Sequence, residues 1–238
     1  MKKLLALSLV LLFAFNSQAQ RYGIRLGGNF SGMMSTVESE GTKIAPGMNM
    51  GILAEFGPKM VNLHAEINYA QKGFNQTVDT DLSSLGLGIM TTDAKINFDY
   101  LEVPLLIKVN PPFPMYFYAG PYFGFALNGE VASDFSVSEG ELTDDTKETL
   151  DLKDATDLYD DDSIYKKQDY GVAAGLGSQF GLGPIHAFVE GRATLGLTNL
   201  YDTESEAYED LVTEGAYKDT DHLKNMAYTI AVGIIFGK

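Results

Sequence analysis

YLEVPLLIKV, NPPFP and MYFYAGPYFGF run together as residues 100–125, and the rest of the chain follows from how they read. Leu101, Val103, Leu105, Ile107 and Val109 alternate with Tyr100, Glu102, Pro104, Leu106 and Lys108. Strand side chains point to opposite faces with period two, so one face is all hydrocarbon and the other carries a carboxylate and an ammonium. After the Pro-rich turn at 110–114, Phe117, Ala119, Pro121, Phe123 and Phe125 share one face, and Tyr116, Tyr118, Gly120, Tyr122 and Gly124 the other. Two strands of about ten residues suit a tilted hairpin that crosses a bilayer with lipid outside and a packed polar lumen inside.

The start of the chain fits that setting. Lys2 and Lys3 precede an apolar run at 4–15, and Asn16-Ser17-Gln18-Ala19 follows. A basic start, a short apolar core and small residues before a cut describe a secretory signal peptide over 1–19, leaving a barrel domain at 20–238. About twelve apolar residues are too few to span a membrane as a helix, and no later stretch reaches the ~18 needed. A membrane-embedded mature chain must then be a closed barrel. Cysteine is absent, which excludes disulfides and thiolate metal sites. The formal charge is -15, and losing Lys2 and Lys3 makes it -17, the wrong sign for a nucleic-acid partner.

Six further stretches alternate in the same way, at 22–32, 47–56, 60–73, 168–180, 185–197 and 225–236. Gly57-Pro58-Lys59 and Gly181-Leu182-Gly183-Pro184 are tight turns. The other connections, at 33–45, 74–94, 128–167 and 198–223, read as long polar loops. Eight strands with long and short connections in alternation predict an all-β fold, an eight-stranded antiparallel up-and-down transmembrane β-barrel with short periplasmic turns and long acidic outer loops. A soluble eight-stranded barrel would instead turn its apolar face inward. Here the more continuous Leu, Val and Ile face opposes the face that holds the charges.

With the apolar face toward lipid, the lumen receives a polar network of Arg25, Glu55, His64, Glu66, Glu102, Lys108, Glu190 and Arg192, joined by Asn29, Asn49, Asn68 and Gln179. A barrel of this size is filled by its side chains, and buried charges need partners. Arg25, Arg192 and Lys108 are expected to pair with several of the glutamates. Gly23, Gly27, Gly51, Gly171, Gly175, Gly177 and Gly233 are expected to make room for them and for Tyr116, Tyr118 and Tyr122. A salt-bridged plug is the plain reading, and a narrow cation-preferring channel for small solutes the alternative. His64 and Glu66 share a face, but no nucleophile or third group stands at a recognisable spacing, so no catalytic, cofactor or metal residues are assigned.

Residues 130–162 hold thirteen carboxylates, among them Asp144-Asp145 and Asp160-Asp161-Asp162. Asp151, Asp154 and Asp157 lack the central Gly and closing Glu of an EF-hand, so the segment reads as a solvated acidic loop, with weak divalent-cation contacts as the sharper alternative. Met33, Met34 and the run LSSLGLGIM at 82–90 are apolar patches in outer loops that could meet a partner.

The opening YGIRLGGNFSG, the YLEVPLLIKV and YAGPYFGF pair, DYGVAAGLG and the closing AYTIAVGIIFG together resemble the PorT-family outer-membrane β-barrels of the Bacteroidetes, over essentially the whole mature chain. The final strand, with Phe236 as its aromatic, is similar to the C-terminal signal read by the barrel-assembly machinery, although Gly237 and Lys238 follow it. The resemblance implies fold and cell outer membrane location and supplies no catalytic residues. Partners expected on this reading are outer-membrane lipid and lipopolysaccharide, the assembly machinery during insertion, and an envelope protein at the loops. The expected function is non-enzymatic, a structural, adhesive or accessory barrel with a plugged lumen.

Overall fold

The computed structural model describes residues 20–35, 42–81, 89–138, 156–157, 164–213 and 222–237. Its strands are β1 (Gln20–Ser35), β2 (Thr42–Phe56), β3 (Val61–Asp81), β4 (Ile89–Val109), β5 (Met115–Ser138), the two-residue β6 (Thr156–Asp157), β7 (Gln168–Leu182), β8 (Ile185–Gly196) and β9 (Leu223–Phe236). One helix, α1 (Glu206–Thr213), lies between β8 and β9. Strands β1 to β5 pair in sequence order, β5 pairs with β7, and β7, β8 and β9 continue the ladder back to β1. Every one of these pairings is antiparallel, and Tyr22↔Phe236 through Ser35↔Leu223 closes the ring. The result is a closed eight-stranded antiparallel barrel, with β6 attached outside the ring at Glu130 and Val131 of β5. Among the described residues no helix is long and apolar enough to cross a membrane.

The hairpin at residues 100–125 forms as its alternation predicts. Ile107, Phe117 and Phe123 are exposed on the outer wall, whereas Glu102, Leu106, Lys108, Tyr116, Tyr118 and Tyr122 are buried in the lumen. The same sidedness runs around the ring, with Ile24, Leu26, Ile52, Ile67, Val172, Leu176, Ile230 and Val232 outside. Such a belt is stable only against lipid, since in water it would leave one continuous apolar surface. The short turns need glycine where the chain reverses: Gly57 has φ 108 and Gly183 φ 77, which side chains with a Cβ rarely adopt. Inside, aromatic rings lie over glycines of the next strand. A Cβ on Gly177, Gly175 or Gly171 would fall onto Tyr116, Tyr118 or Tyr122, each directly opposite in the register.

Strands β1 to β5 are longer than the sequence suggested. The segment 74–94 was expected as loop, yet β3 continues to Asp81 and β4 begins at Ile89, paired in register. Strand β5 runs on to Ser138, past a bulge at Leu127 where Asp99↔Asn128 gives way to Tyr100↔Ala126. Likewise β1 reaches Ser35 and β2 starts at Thr42, so most of the expected 33–45 loop is strand.

The physical reason is an inversion of polarity along the strands. Below Tyr100, β4 turns hydrocarbon out and charge in. Above it Lys95 and Asn97 are exposed, while Ile96, Phe98 and Tyr100 are buried. Phe74, Ala126, Met33, Val131 and Tyr165 pack against that upper interior. The wall outside the membrane thus has the sidedness of a water-soluble protein. The leader at 1–19, the apolar run at 82–88 and most of the acidic stretch (139–155 and 158–163) lie outside the described residues.

Candidate functional site

Among the described residues, buried polar side chains concentrate in the lumen, and period two places them there. Residues 62, 64, 66 and 68 of β3 all point inward, as do 190, 192 and 194 of β8. These two strands stand diametrically opposite in the ring. Glu66 of β3 is the centre. Arg192 of β8 donates to it with both terminal nitrogens, Nη1 to Oε2 at 2.7 Å and Nη2 to Oε1 at 2.6 Å. Arg25 Nη1 donates to Glu66 Oε2 at 3.2 Å and to Asn49 Oδ1 at 2.8 Å, and Asn68 Nδ2 adds a 2.7 Å bond. Two guanidinium groups on one carboxylate would leave excess positive charge. Glu190 offsets it, at 3.0 Å from Arg25 and 3.3 Å from Arg192, and accepts from the Tyr116 hydroxyl at 2.9 Å.

Toward the short turns lies a second group. Glu55 is paired with Arg21, accepts from Lys108 Nζ at 2.6 Å, and lies 3.1 Å from His64 Nδ1. The His64 ring joins the two groups, since its Nε2 lies 2.5 Å from Glu66 Oε1. It stacks on Tyr118 at 5.9 Å between centroids. Lys108 Nζ sits 3.7 Å from the centroid of Tyr116, and the Arg192 guanidinium 4.9 Å from that of Tyr118, so the tyrosines cover the cations with their electron-rich faces.

Toward the long loops a third group forms around Lys72. Its Nζ lies 2.5 Å from Glu102 and 3.5 Å from Asp169. Asp169 also accepts from Tyr122 at 3.0 Å and from Asn225 at 2.8 Å. All eight sequence-predicted network residues are buried in the lumen, and seven join in one connected set. Glu102 belongs instead to the Lys72 group. Lys72 was missed, although counting by two from Glu66 through Asn68 and Ala70 reaches it. Asp169, at an inward-facing position of β7, was not assigned to the network either. Gln179, expected in the lumen, lies at its rim and is only half-buried, as is His186. Leaving aside His64, which lies between Glu55 and Glu66, the five cations Arg21, Arg25, Lys72, Lys108 and Arg192 face the five carboxylates Glu55, Glu66, Glu102, Asp169 and Glu190.

Above the Lys72 group the lumen ends in an apolar cap. Leu200, Tyr201, Tyr208 of α1 and Leu223 are buried together, with Met33, Ile164, Tyr165 and Val212 against them. A bridge between Tyr165 and Tyr201 ties the two long connections to each other. The helix was not foreseen: EAYEDLVT is short and acidic, and Tyr208, with Val212 beside it, anchors it inward. Among the described residues no group of three or more His, Cys, Asp or Glu is placed to hold a metal ion. Glu55, His64 and Glu66 look suited to one by type, but their oxygens are taken by Arg and Lys.

Residues 16–202 match the family described as outer membrane protein beta-barrel domain. No curated protein matches the chain. Solved structures similar to it include the attachment invasion locus protein Ail of Yersinia pestis, at 13% identity and TM-score 0.39 over 92% of this chain and 100% of that one. Neisserial surface protein A is similar at 10% identity and TM-score 0.38, over 91% and 97%. The outer membrane protein OprG from Pseudomonas aeruginosa is similar at 15% identity and TM-score 0.37, over 93% and 98%.

Proposed function

We infer from one premise, that this chain belongs to the outer membrane protein beta-barrel domain family, that it serves as a closed barrel whose work is done at its surfaces rather than through its lumen. One observation carries this reading: five cations and five carboxylates neutralise each other across the full width of the barrel, with an aromatic cap above them. An ion entering such a lumen would have to separate desolvated pairs, each costing several kcal/mol to break. The role that follows is structural, adhesive or accessory, without enzymatic activity. The protein would reach the outer membrane by its leader and the barrel-assembly machinery, and sit there among phospholipid and lipopolysaccharide. The acidic outer connections would face an envelope protein or a cell-surface partner. The likeness of residues 100–125 and of the last strand to PorT-family barrels supports a Bacteroidetes-type envelope as the setting.

The test is conductance of the refolded mature protein in a planar bilayer, with heat-modifiable gel mobility as the folding control. A folded protein is expected to give no steady current. Stable cation-selective steps, altered in Glu102→Gln or Arg192→Ala, would make the lumen a channel and defeat the closed-barrel reading.

A further inference from the structure

At the short-turn end the lumen opens into a small vestibule of about 220 Å³. Its polar lining is Arg21 of β1, Lys59 of the β2–β3 turn, Asn110 of the β4–β5 turn, Gln179 of β7 and His186 of β8, while Phe113, Pro114 and Met115 form an apolar side and Tyr116 borders the vestibule on the lumen side. Among the described residues no carboxylate lines it. That matters in a chain with 32 acidic and 17 basic side chains, where an unselected rim would be expected to carry acid. Glu55 lies behind Arg21, and its remaining contacts go to Lys108 and His64. The Asn110 amide is turned by its bond to the Lys59 carbonyl at 2.8 Å, which fixes the two turns side by side. His186 Nδ1 is shielded from water and has no hydrogen-bond partner in the protein. That nitrogen is closed to solvent, so His186 meets the vestibule through the rest of its half-exposed ring.

We propose that this vestibule is an anion site that takes a phosphate group, held by Lys59, His186 and the outer edge of Arg21. Phosphate suits the geometry because several donors converge on one small volume, and a compact oxyanion can accept from all of them at once. The Asn110 and Gln179 amides supply neutral donors beside the charged ones. Two sources share this chemistry, the headgroup of a phospholipid in the leaflet around the short turns and a free phosphate entering from the aqueous side. The site lies below the Arg21–Glu55 pair, so it does not depend on whether the lumen conducts.

The test uses the full mature chain refolded in uncharged maltoside micelles, with heat-modifiable mobility as the folding control. Inorganic phosphate is titrated in one arm and phosphatidylglycerol, doped into the micelles, in the other. Binding is followed by the phosphorus resonance of the probe and by the His186 ring resonances. Saturable binding is expected. It should weaken at least about tenfold in the Lys59→Gln, His186→Gln double variant, which loses charge-assisted bonds, and be unchanged in Lys95→Gln at the other end of the barrel. Binding of both probes marks a general phosphate site, and binding of the lipid alone marks a headgroup site. No saturable binding of either probe, or binding that survives the double variant, overturns the proposal.

Discussion

Glu66 accepts two guanidinium groups, one of them through both oxygens, while a third partner, His64, closes on Oε1. Its contacts join β3 to β1 and to β8 on the opposite wall. A buried ion pair adds little net stability when intact, because desolvation cancels most of the attraction, but removing one partner strands the other charge. Glu66→Gln keeps the shape and removes the charge, leaving Arg25 and Arg192 to share Glu190. A loss of about 3–5 kcal/mol is expected, read as a lower urea midpoint in detergent or lipid. Combining Glu66→Gln with Arg192→Met should recover part of that loss, because the stranded cation is removed as well. If the double variant were no more stable than the single one, Glu66 and Arg192 would not be the central pair.

At the scale of a strand, β4 shows why the barrel has a definite depth. Residues 101–109 carry the hydrocarbon face, and at about 3.3 Å per residue and a tilt of about 40° they rise roughly 20–25 Å, close to the apolar band of an outer-membrane barrel. Phe123, Phe125, Tyr170 and Tyr228 ring its upper border, with Tyr22, Phe117, Phe180 and Phe236 at the lower one. Arginine is expected to report that depth. Leu105→Arg, in mid-band, should cost about 2–4 kcal/mol of folding stability in phospholipid, and Asn97→Arg, on the same strand above the border, close to none. Equal costs at the two positions would place the membrane elsewhere on the barrel.

For the molecule as a whole, closure of the ring and closure of the mouth are separate matters. The ring is held by continuous ladders from β1 round to β9, whereas the cap rests on one cluster of Leu200, Tyr201, Tyr208 and Leu223. Tyr208 is the helix's buried anchor, and its backbone N–H is capped by Ser205. Tyr208→Ser is therefore expected to free α1, seen as faster proteolysis between Leu200 and Leu223. The heat-modifiable mobility of the barrel should stay as in the parent. Loss of that mobility in Tyr208→Ser would mean that the cap is part of the barrel's own stability.

Much of this was legible in the chain, and the limit has a physical basis. Side-chain alternation is a local property, so eight strands, the lipid side, the turns at 57–59 and 110–114, and the inward direction of Arg25, Glu55, Glu66 and Arg192 could all be read without coordinates. The upper parts of β3, β4 and β5 could not, because their polarity reverses where the wall leaves the membrane. A rule tuned to hydrocarbon-out reads 74–94 as loop and leaves Lys95, Asn97 and Asp99 outside any strand. Helix α1 carried too little apolar periodicity to announce itself. Pairing was hidden for a different reason. Period two tells which face a residue joins, but the partner of Glu66 is Arg192, 126 positions away on the far wall. Only the closing of β9 onto β1 brings those charges within reach, and that closure is a property of the folded ring.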